Sequence, residues 1–388
     1  LRNAFTPSRP VVEPAMFAGR TKLLRTLIRS IEDQQLHVVL YGERGIGKTS
    51  MLHILRQIAQ EARYIVRYAS CGEDTDFSNF FRAILQDIPL LYHSDYAPTS
   101  EEIEEGLSLA DLLPETQLSV AQISDVFAKL SRTRVLIILD EFDRANAPHF
   151  RRSVAELIKN LSDRSVRVQL VIGGVASNLT ELIEHIPSIR RNILGLQVPT
   201  MSREEIEELI RNGESVCGLK FTPEAIDLTC ESADGLPYLA NLFCQHAGIA
   251  ALDRQAMSVE RVDVVEAIGQ AAEEIEHRVP SHSKFHIEKA AADGHDHMLG
   301  LAARSALHTG GRVVPDKLRQ MDSGDDVDAL LDLLAKKYHL LAPVPGDLEG
   351  AYSFTEEGVP IYLWMRYVQS DVVHAGKARS PVAARRRG

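Results

Sequence analysis

The chain has 388 residues, 45% apolar and 25% charged, which is room for two or three domains with the balance of a water-soluble globular protein. No apolar run approaches membrane-spanning length and no secretory signal opens the chain, so a cytoplasmic protein with no membrane partner is expected. The net charge of −11 weighs against a general nucleic-acid binder, which is usually basic. The four cysteines, Cys71, Cys217, Cys230 and Cys244, form no CxxC pair and read as buried thiols.

Residues 1–20 are Pro-rich and aperiodic and read as an extended arm. A helix is predicted over about residues 21–32, with Leu23, Leu24, Leu27 and Ile31 on one stripe. LHVVLYG follows, a short apolar run ending in glycine, as buried parallel strands do. After a loop and a helix come further strand candidates: YIVRYASC, VLIILDEFD, VRVQLVIGGVA and a short one at 195–198. Helical patterns separate them, and this alternation implies right-handed crossovers and a parallel sheet covered on both faces. Residues 89–120 break the rhythm and read as an acidic surface insertion. Beyond Pro199 the strands stop. Ser202 with Glu205 three residues on has the look of a capping box, and four helices are expected between 202 and 277. A polar, His-rich linker follows. Helices at 298–308, 315–321 and 325–338 then precede a hairpin of HLLAPV and AYSFT, and three helices followed by a hairpin is the order of a winged helix. The expected division is an arm at 1–20, an α/β core at 21–200, a helical lid at 201–280, a winged-helix-like domain at 281–372 and a basic tail at 373–388.

The chemistry is concentrated in Gly42-Glu43-Arg44-Gly45-Ile46-Gly47-Lys48-Thr49 and the following Ser50. This is GxxxxGK[ST] placed after an apolar strand and before a helix, the context in which its glycines turn backbone N–H groups toward phosphate oxygens. The helix start adds its positive dipole end. Lys48 is suited to reach β- and γ-phosphates, and the Thr49 hydroxyl to ligate Mg²⁺. The strand Val135–Leu139 runs into Asp140 and Glu141. Downstream of a P-loop, Asp140 is suited to hold Mg²⁺ and Glu141 to polarise an attacking water. Asn178, after the fourth strand, fits either a polar sensor of the γ-phosphate or a helix cap. Arg190 and Arg191 fit either a charge-neutralising finger donated to a neighbouring subunit or a basic helix end. No NKxD-like segment for guanine follows, so ATP or ADP with Mg²⁺ is the expected ligand.

The order FAGR (residues 17–20), P-loop, LDE, sensor-like strand, SIRR, PTMSREE and GLP (residues 235–237) resembles the AAA+ ATPases of the replication-initiator type, the related STAND NTPases and bacterial transposition-type AAA ATPases, over roughly residues 13–275. The resemblance implies a P-loop NTPase sheet followed by a helical lid, and a homo-oligomer with a protein partner. It places Gly19 and Arg20 beside the adenine and makes Lys48 and Thr49 the Walker A residues. Asp140 and Glu141 become the Walker B residues, Ser177 or Asn178 sensor 1, and Arg190 or Arg191 the finger. One departure concerns the lid: Pro237 and Tyr238 stand where initiator-type proteins often carry a sensor-2 arginine, a GxP arrangement nearer the STAND proteins.

Three functions fit this pattern: an oligomerising ATPase switch, a DNA-associated regulator using the winged helix and the basic tail, and a signalling scaffold in which nucleotide is structural. Against the second stands the expected recognition helix, where Asp325, Asp326, Asp328 and Asp332 face only Lys336 and Lys337, the wrong sign for phosphate.

Overall fold

The computed structural model describes residues 1–96, 99, 106–145, 147–176, 179, 191–321, 326–344, 347, 349–356 and 358–378. Two compact units emerge: one of Pro10–Gly42 and Gly47–Pro199, the other of Leu1–Arg9, Glu43–Ile46 and Thr200–Gly388.

The first unit is built on strands β1 (His37–Gly42), β2 (Ile65–Ser70), β3 (Val135–Asp140), β4 (Val168–Val175) and β5 (Ile193–Gln197). They form one sheet in the order β2-β3-β4-β1-β5, parallel throughout. Every residue of β3 is buried. Successive side chains point to opposite faces, so both faces of the sheet are covered there. The connecting helices are α1 (Thr21–Glu32), α2 (Lys48–Glu61), α3 (Phe77–Gln86), α4 (Val120–Ala128) and α5 (Pro148–Asp163). Asp76 caps α3 by accepting the Asn79 N–H at 2.9 Å, and Ser119 with Gln122 forms a capping box on α4. The segment expected to be a surface insertion contributes Leu90, Leu109 and Leu118 to the core. Two 3₁₀ turns, Leu90–Tyr92 and Leu109–Leu112, carry the first two inward. Acidic residues around these leucines mask their periodicity in the sequence.

His37, at the start of β1, is 3% exposed and accepts the Leu170 N–H on Nδ1 at 3.0 Å. Only the neutral ring can accept there, and burial pulls its pKa down to about 4. The unfolded chain, with an ordinary histidine near 6.5, therefore takes up a proton before the folded one does. The expected result is a contribution to stability that is complete above pH 6.5 and falls by about 3 kcal/mol as pH drops toward 4. Urea midpoints measured from pH 7 to 4.5 check this. His37→Gln, which keeps an acceptor without a titrating ring, is expected to have the shallower slope.

In the second unit the capping box forms as expected: the Ser202 N–H donates to Glu205 Oε2 at 2.9 Å, and the Glu205 N–H to Ser202 Oγ at 3.3 Å. It opens α6 (Arg203–Cys217), followed by α7 (Pro223–Ala233), α8 (Pro237–Asp253) and α9 (Arg261–Glu276), with the short parallel strands β6 (Lys220–Phe221) and β7 (Ser258–Val259) preceding α7 and α9. The stretch read as a polar linker is helical, α10 (Ser281–Ala290). Ser283, Ile287 and Ala290 form its buried stripe, narrow enough to be hidden among histidines and lysines. Gly294, with φ 94°, kinks the chain into α11 (Asp296–Leu307). Then come β8 (Arg312–Val313), α12 (Pro315–Met321), α13 (Val327–Lys336), β9 (Leu341–Pro343), β10 (Tyr352–Phe354) and α14 (Val359–Ala378). The expected hairpin is present as antiparallel β9 and β10, with β8 completing a three-stranded sheet.

Residues 1–9 differ from a solvated arm. Ala4 and Phe5 are buried, Phe5 meets the Phe221 ring edge-on at 5.8 Å, and Gln245 Nε2 donates to the Phe5 carbonyl at 3.1 Å. Gly213 makes room for that ring, since a Cβ there would lie 2.2 Å from it. Asp234, between α7 and α8, receives Arg304 through two bonds of 2.7 and 2.9 Å and lies 2.7 Å from His308 Nε2. Burial alone would raise the Asp234 pKa, but the bonds from His308 and Arg304 outweigh it and hold the carboxyl at about 2. Trp364 Nε1 donates to the Ser232 carbonyl at 3.1 Å.

Candidate functional site

β1 lies inside the sheet, between β4 and β5. Ligands of open parallel sheets gather at the carboxyl ends of the strands, where neighbouring crossovers diverge. At that end of β1 the chain turns with φ of 147° at Gly42, 74° at Gly45 and 93° at Gly47, values that side-chain-bearing residues rarely adopt. Gly42 is doubly constrained, because a Cβ would stand 2.7 Å from the Val198 carbonyl oxygen. Gly47 caps α2, so the helix begins at Lys48 with its first N–H groups toward the loop. Lys48 is 8% exposed, and its Nζ donates to the Gly42 carbonyl at 2.9 Å. The amine is thus folded back over its own loop. Ser50 Oγ accepts the Val11 N–H at 3.0 Å. Glu43–Ile46 cluster with the second unit, in which a Cβ at Gly45 would lie 3.4 Å from Tyr238 Cβ.

β3 ends in Asp140, 4% exposed. Its Oδ1 accepts the Glu141 N–H at 2.8 Å, and its Oδ2 accepts the Tyr68 hydroxyl at 2.6 Å. Glu141 takes a left-handed conformation, φ 52°. Its Oε2 accepts the Ser70 hydroxyl at 2.8 Å and faces the Arg144 guanidinium at 3.3 Å. The turn after Glu141 is anchored to β4 by the Val175 N–H donating to Asp143 Oδ1 at 2.7 Å. Cys71, just beyond β2, is buried, and desolvation pushes its thiol up to about 12, leaving it protonated and inert.

Gly173 of β4 closes the floor. A Cβ there would meet Leu52 Cδ1 at 2.7 Å and Asp140 Oδ1 at 3.0 Å, so a α2 side chain and the Asp140 carboxylate converge over this glycine. Gly173→Ala is expected to destabilise the protein by about 1–3 kcal/mol through overpacking, read as a lowered urea midpoint. An unchanged midpoint would mean that Leu52 swings aside freely.

Gly19 and Arg20 both have positive φ, 64° and 55°, at the start of α1. Arg20 is buried and donates to the Pro199 carbonyl at 2.9 Å. The first unit thus contains Gly19, Arg20, Gly42, Gly47, Lys48, Thr49, Asp140 and Glu141, while Pro237, the first residue of α8, belongs to the second. Arg191 is exposed. The sensor candidates Ser177 and Asn178 and the finger candidate Arg190 lie outside the described residues. Tyr68, Ser70 and Gly173 escaped the sequence reading. The register Ser70↔Asp140 puts the end of β2 beside the end of β3, and two polar residues spaced by two at the end of a strand were the available signal.

Residues 28–183 match the family described as the AAA domain. No curated protein matches the chain by sequence. Among solved structures, the RuvB Holliday junction branch migration motor of Thermotoga maritima is similar at TM-score 0.47 and 16% identity, over 88% of this chain and 93% of that one. The Orc1 protein of Aeropyrum pernix, solved in complex with DNA, gives 0.48 and 16% over 94% and 95%. Cdc6p of Pyrobaculum aerophilum gives 0.48 and 15% over 96% and 98%. The matched residues include the P-loop and the Asp140-Glu141 strand, so this part of the chain is similar to an AAA domain, and the parallel sheet described above is that of a P-loop NTPase fold.

Proposed function

We propose that the chain binds ATP and ADP with Mg²⁺ at Gly42–Thr49, hydrolyses ATP, and changes its assembly or its hold on a protein partner with nucleotide state. The observation that carries this reading is the pairing of a buried Lys48 folded over a positive-φ glycine loop with a buried Asp140 and adjacent Glu141 at the carboxyl edge of the same sheet. The residues fit the ligand: the three loop glycines present no Cβ, and the start of α2 supplies N–H donors.

In this reading Gly42, Glu43, Arg44, Gly45, Ile46 and Gly47 wrap the phosphates, Lys48 pairs with the terminal ones, and Gly19 and Arg20 border the nucleotide. Thr49 and Asp140 hold the metal, which when bound neutralises phosphate charge. Glu141 takes the proton from the attacking water. Its Oε2 is engaged by Ser70 and Arg144, so these two residues set the direction in which the carboxylate faces. Asn178 orients the water, and Arg190 or Arg191 of a neighbouring copy offsets the developing charge, which a homo-oligomer would bring into place.

Residues 201–280 act as lid and 281–372 as a winged-helix-like domain, a reading supported by the order α11, β8, α12, α13, β9, β10. The exposed side of α13 carries Asp328 and Asp332, paired with Arg319 and Lys336. That face suits a protein surface better than DNA phosphates.

Steady-state ATP hydrolysis with Mg²⁺, measured together with solution mass in ATP, ADP and no nucleotide, tests the proposal. Turnover with an ATP-dependent rise in mass is expected. Nucleotide binding without either would leave a nucleotide-stabilised scaffold.

A further inference from the structure

Asp140 does not stand alone at the end of β3. Both of its carboxylate oxygens already carry a donor, the Glu141 N–H on Oδ1 and the Tyr68 hydroxyl on Oδ2. The first donor is the backbone N–H of the next residue. The second comes from a side chain on the neighbouring strand. Tyr68 pairs in register with Ile138. Its side chain therefore reaches diagonally, two residues along β3, to meet the carboxylate. The Tyr68 ring is held in that posture by His53, stacked on it at 4.7 Å with 18° between the planes. His53 belongs to α2, the helix that begins with Lys48 and Thr49. A continuous set of contacts thus runs from the P-loop helix through His53 and Tyr68 to Asp140.

We propose that Tyr68 is a positioning residue for the metal: by holding Asp140 Oδ2 it fixes the rotation of the carboxylate and so sets how tightly the site takes Mg²⁺ alongside nucleotide. This rests on the reading of the site as an Mg²⁺-nucleotide site. The physical argument is one of pre-organisation. A buried carboxylate with one anchored oxygen presents its remaining lone pairs in a single direction. Without the Tyr68 bond only the Glu141 N–H on Oδ1 restrains the carboxylate, so it is held less tightly about its Cβ–Cγ bond and part of its order has to be restored when the metal arrives. Bonds to ionised acceptors are the stronger kind, and the 2.6 Å separation is in their range. Here the hydroxyl is placed on the one carboxylate that the metal requires.

Fluorescent ADP binding, titrated with Mg²⁺ and repeated in EDTA, tests the inference on wild type, Tyr68→Phe, Asp140→Asn and the double variant. Tyr68→Phe is expected to raise the half-saturating Mg²⁺ concentration about ten-fold, in line with the loss of a hydrogen bond to a charged group, while ADP binding in EDTA stays as in wild type. In the Asp140→Asn background the same change is expected to have no further effect, because Tyr68 acts through that carboxylate. His53→Ala, which keeps the hydroxyl but removes the stack, is expected to move the Mg²⁺ midpoint in the same direction by less. The inference is overturned by an unchanged or lowered Mg²⁺ midpoint in Tyr68→Phe, or by an equal loss of binding in EDTA, which would mark a packing role. If wild type itself binds no ADP with or without Mg²⁺, the nucleotide reading falls and this inference with it.

Discussion

Lys48→Ala is expected to remove ATP turnover and the nucleotide-linked gain in stability together. The lysine is 8% exposed and bonded only 2.9 Å from the Gly42 carbonyl, so its ammonium is already desolvated and aimed over the loop. A charge so placed interacts with phosphate far more strongly than one in bulk water. Without nucleotide the substitution costs about 1.5–3 kcal/mol for the lost charge-assisted bond to Gly42. With nucleotide at about 100 times its dissociation constant, wild type gains roughly 2.7 kcal/mol, and the variant gains nothing at the same concentration. Thermal unfolding with and without ATP-Mg²⁺ separates the two terms. A variant that keeps the wild-type shift would remove Lys48 from the site.

Glu141→Gln is expected to lower turnover by about 10²–10⁴ while leaving nucleotide binding in place. Gln matches the shape of Glu and can still accept the Ser70 hydroxyl, which lies 2.8 Å from Oε2 in the wild type. What it cannot do is take a proton. Binding and turnover therefore separate in this variant, whereas Lys48→Ala loses both. If turnover persists in Glu141→Gln, the proton goes elsewhere and the assigned role of this residue is wrong. Ser70 and Arg144 both meet the same oxygen, so the orientation of the Glu141 carboxylate is set by one neighbour on β2 and another on the turn that follows β3.

The strands and the P-loop were legible because each is a local pattern. The fully buried strand Val135–Asp140 is apolar up to its last residue, and the loop's φ values of 147°, 74° and 93° favour glycine at all three positions. The capping box at Ser202 was readable for the same reason, since both of its bonds lie within four residues. The helix Ser281–Ala290 was missed because its buried side is only three small or aliphatic residues wide. The burial of Phe5 was also missed. Its partners Gly213, Phe221 and Gln245 are more than two hundred residues away, and no pattern within residues 1–20 shows them.

By itself, then, the sequence determined the glycine loop after β1, the carboxylates at the end of β3 and the alternation of strands and helices, because backbone sterics and burial act over a few residues. Only the tertiary structure decided that Tyr68 anchors Asp140, that Ser70 and Arg144 share one oxygen of Glu141, and that Gly173 clears the floor beneath them. Those relations depend on which strands lie side by side and in what register, and long-range pairing leaves no periodic mark on a single chain.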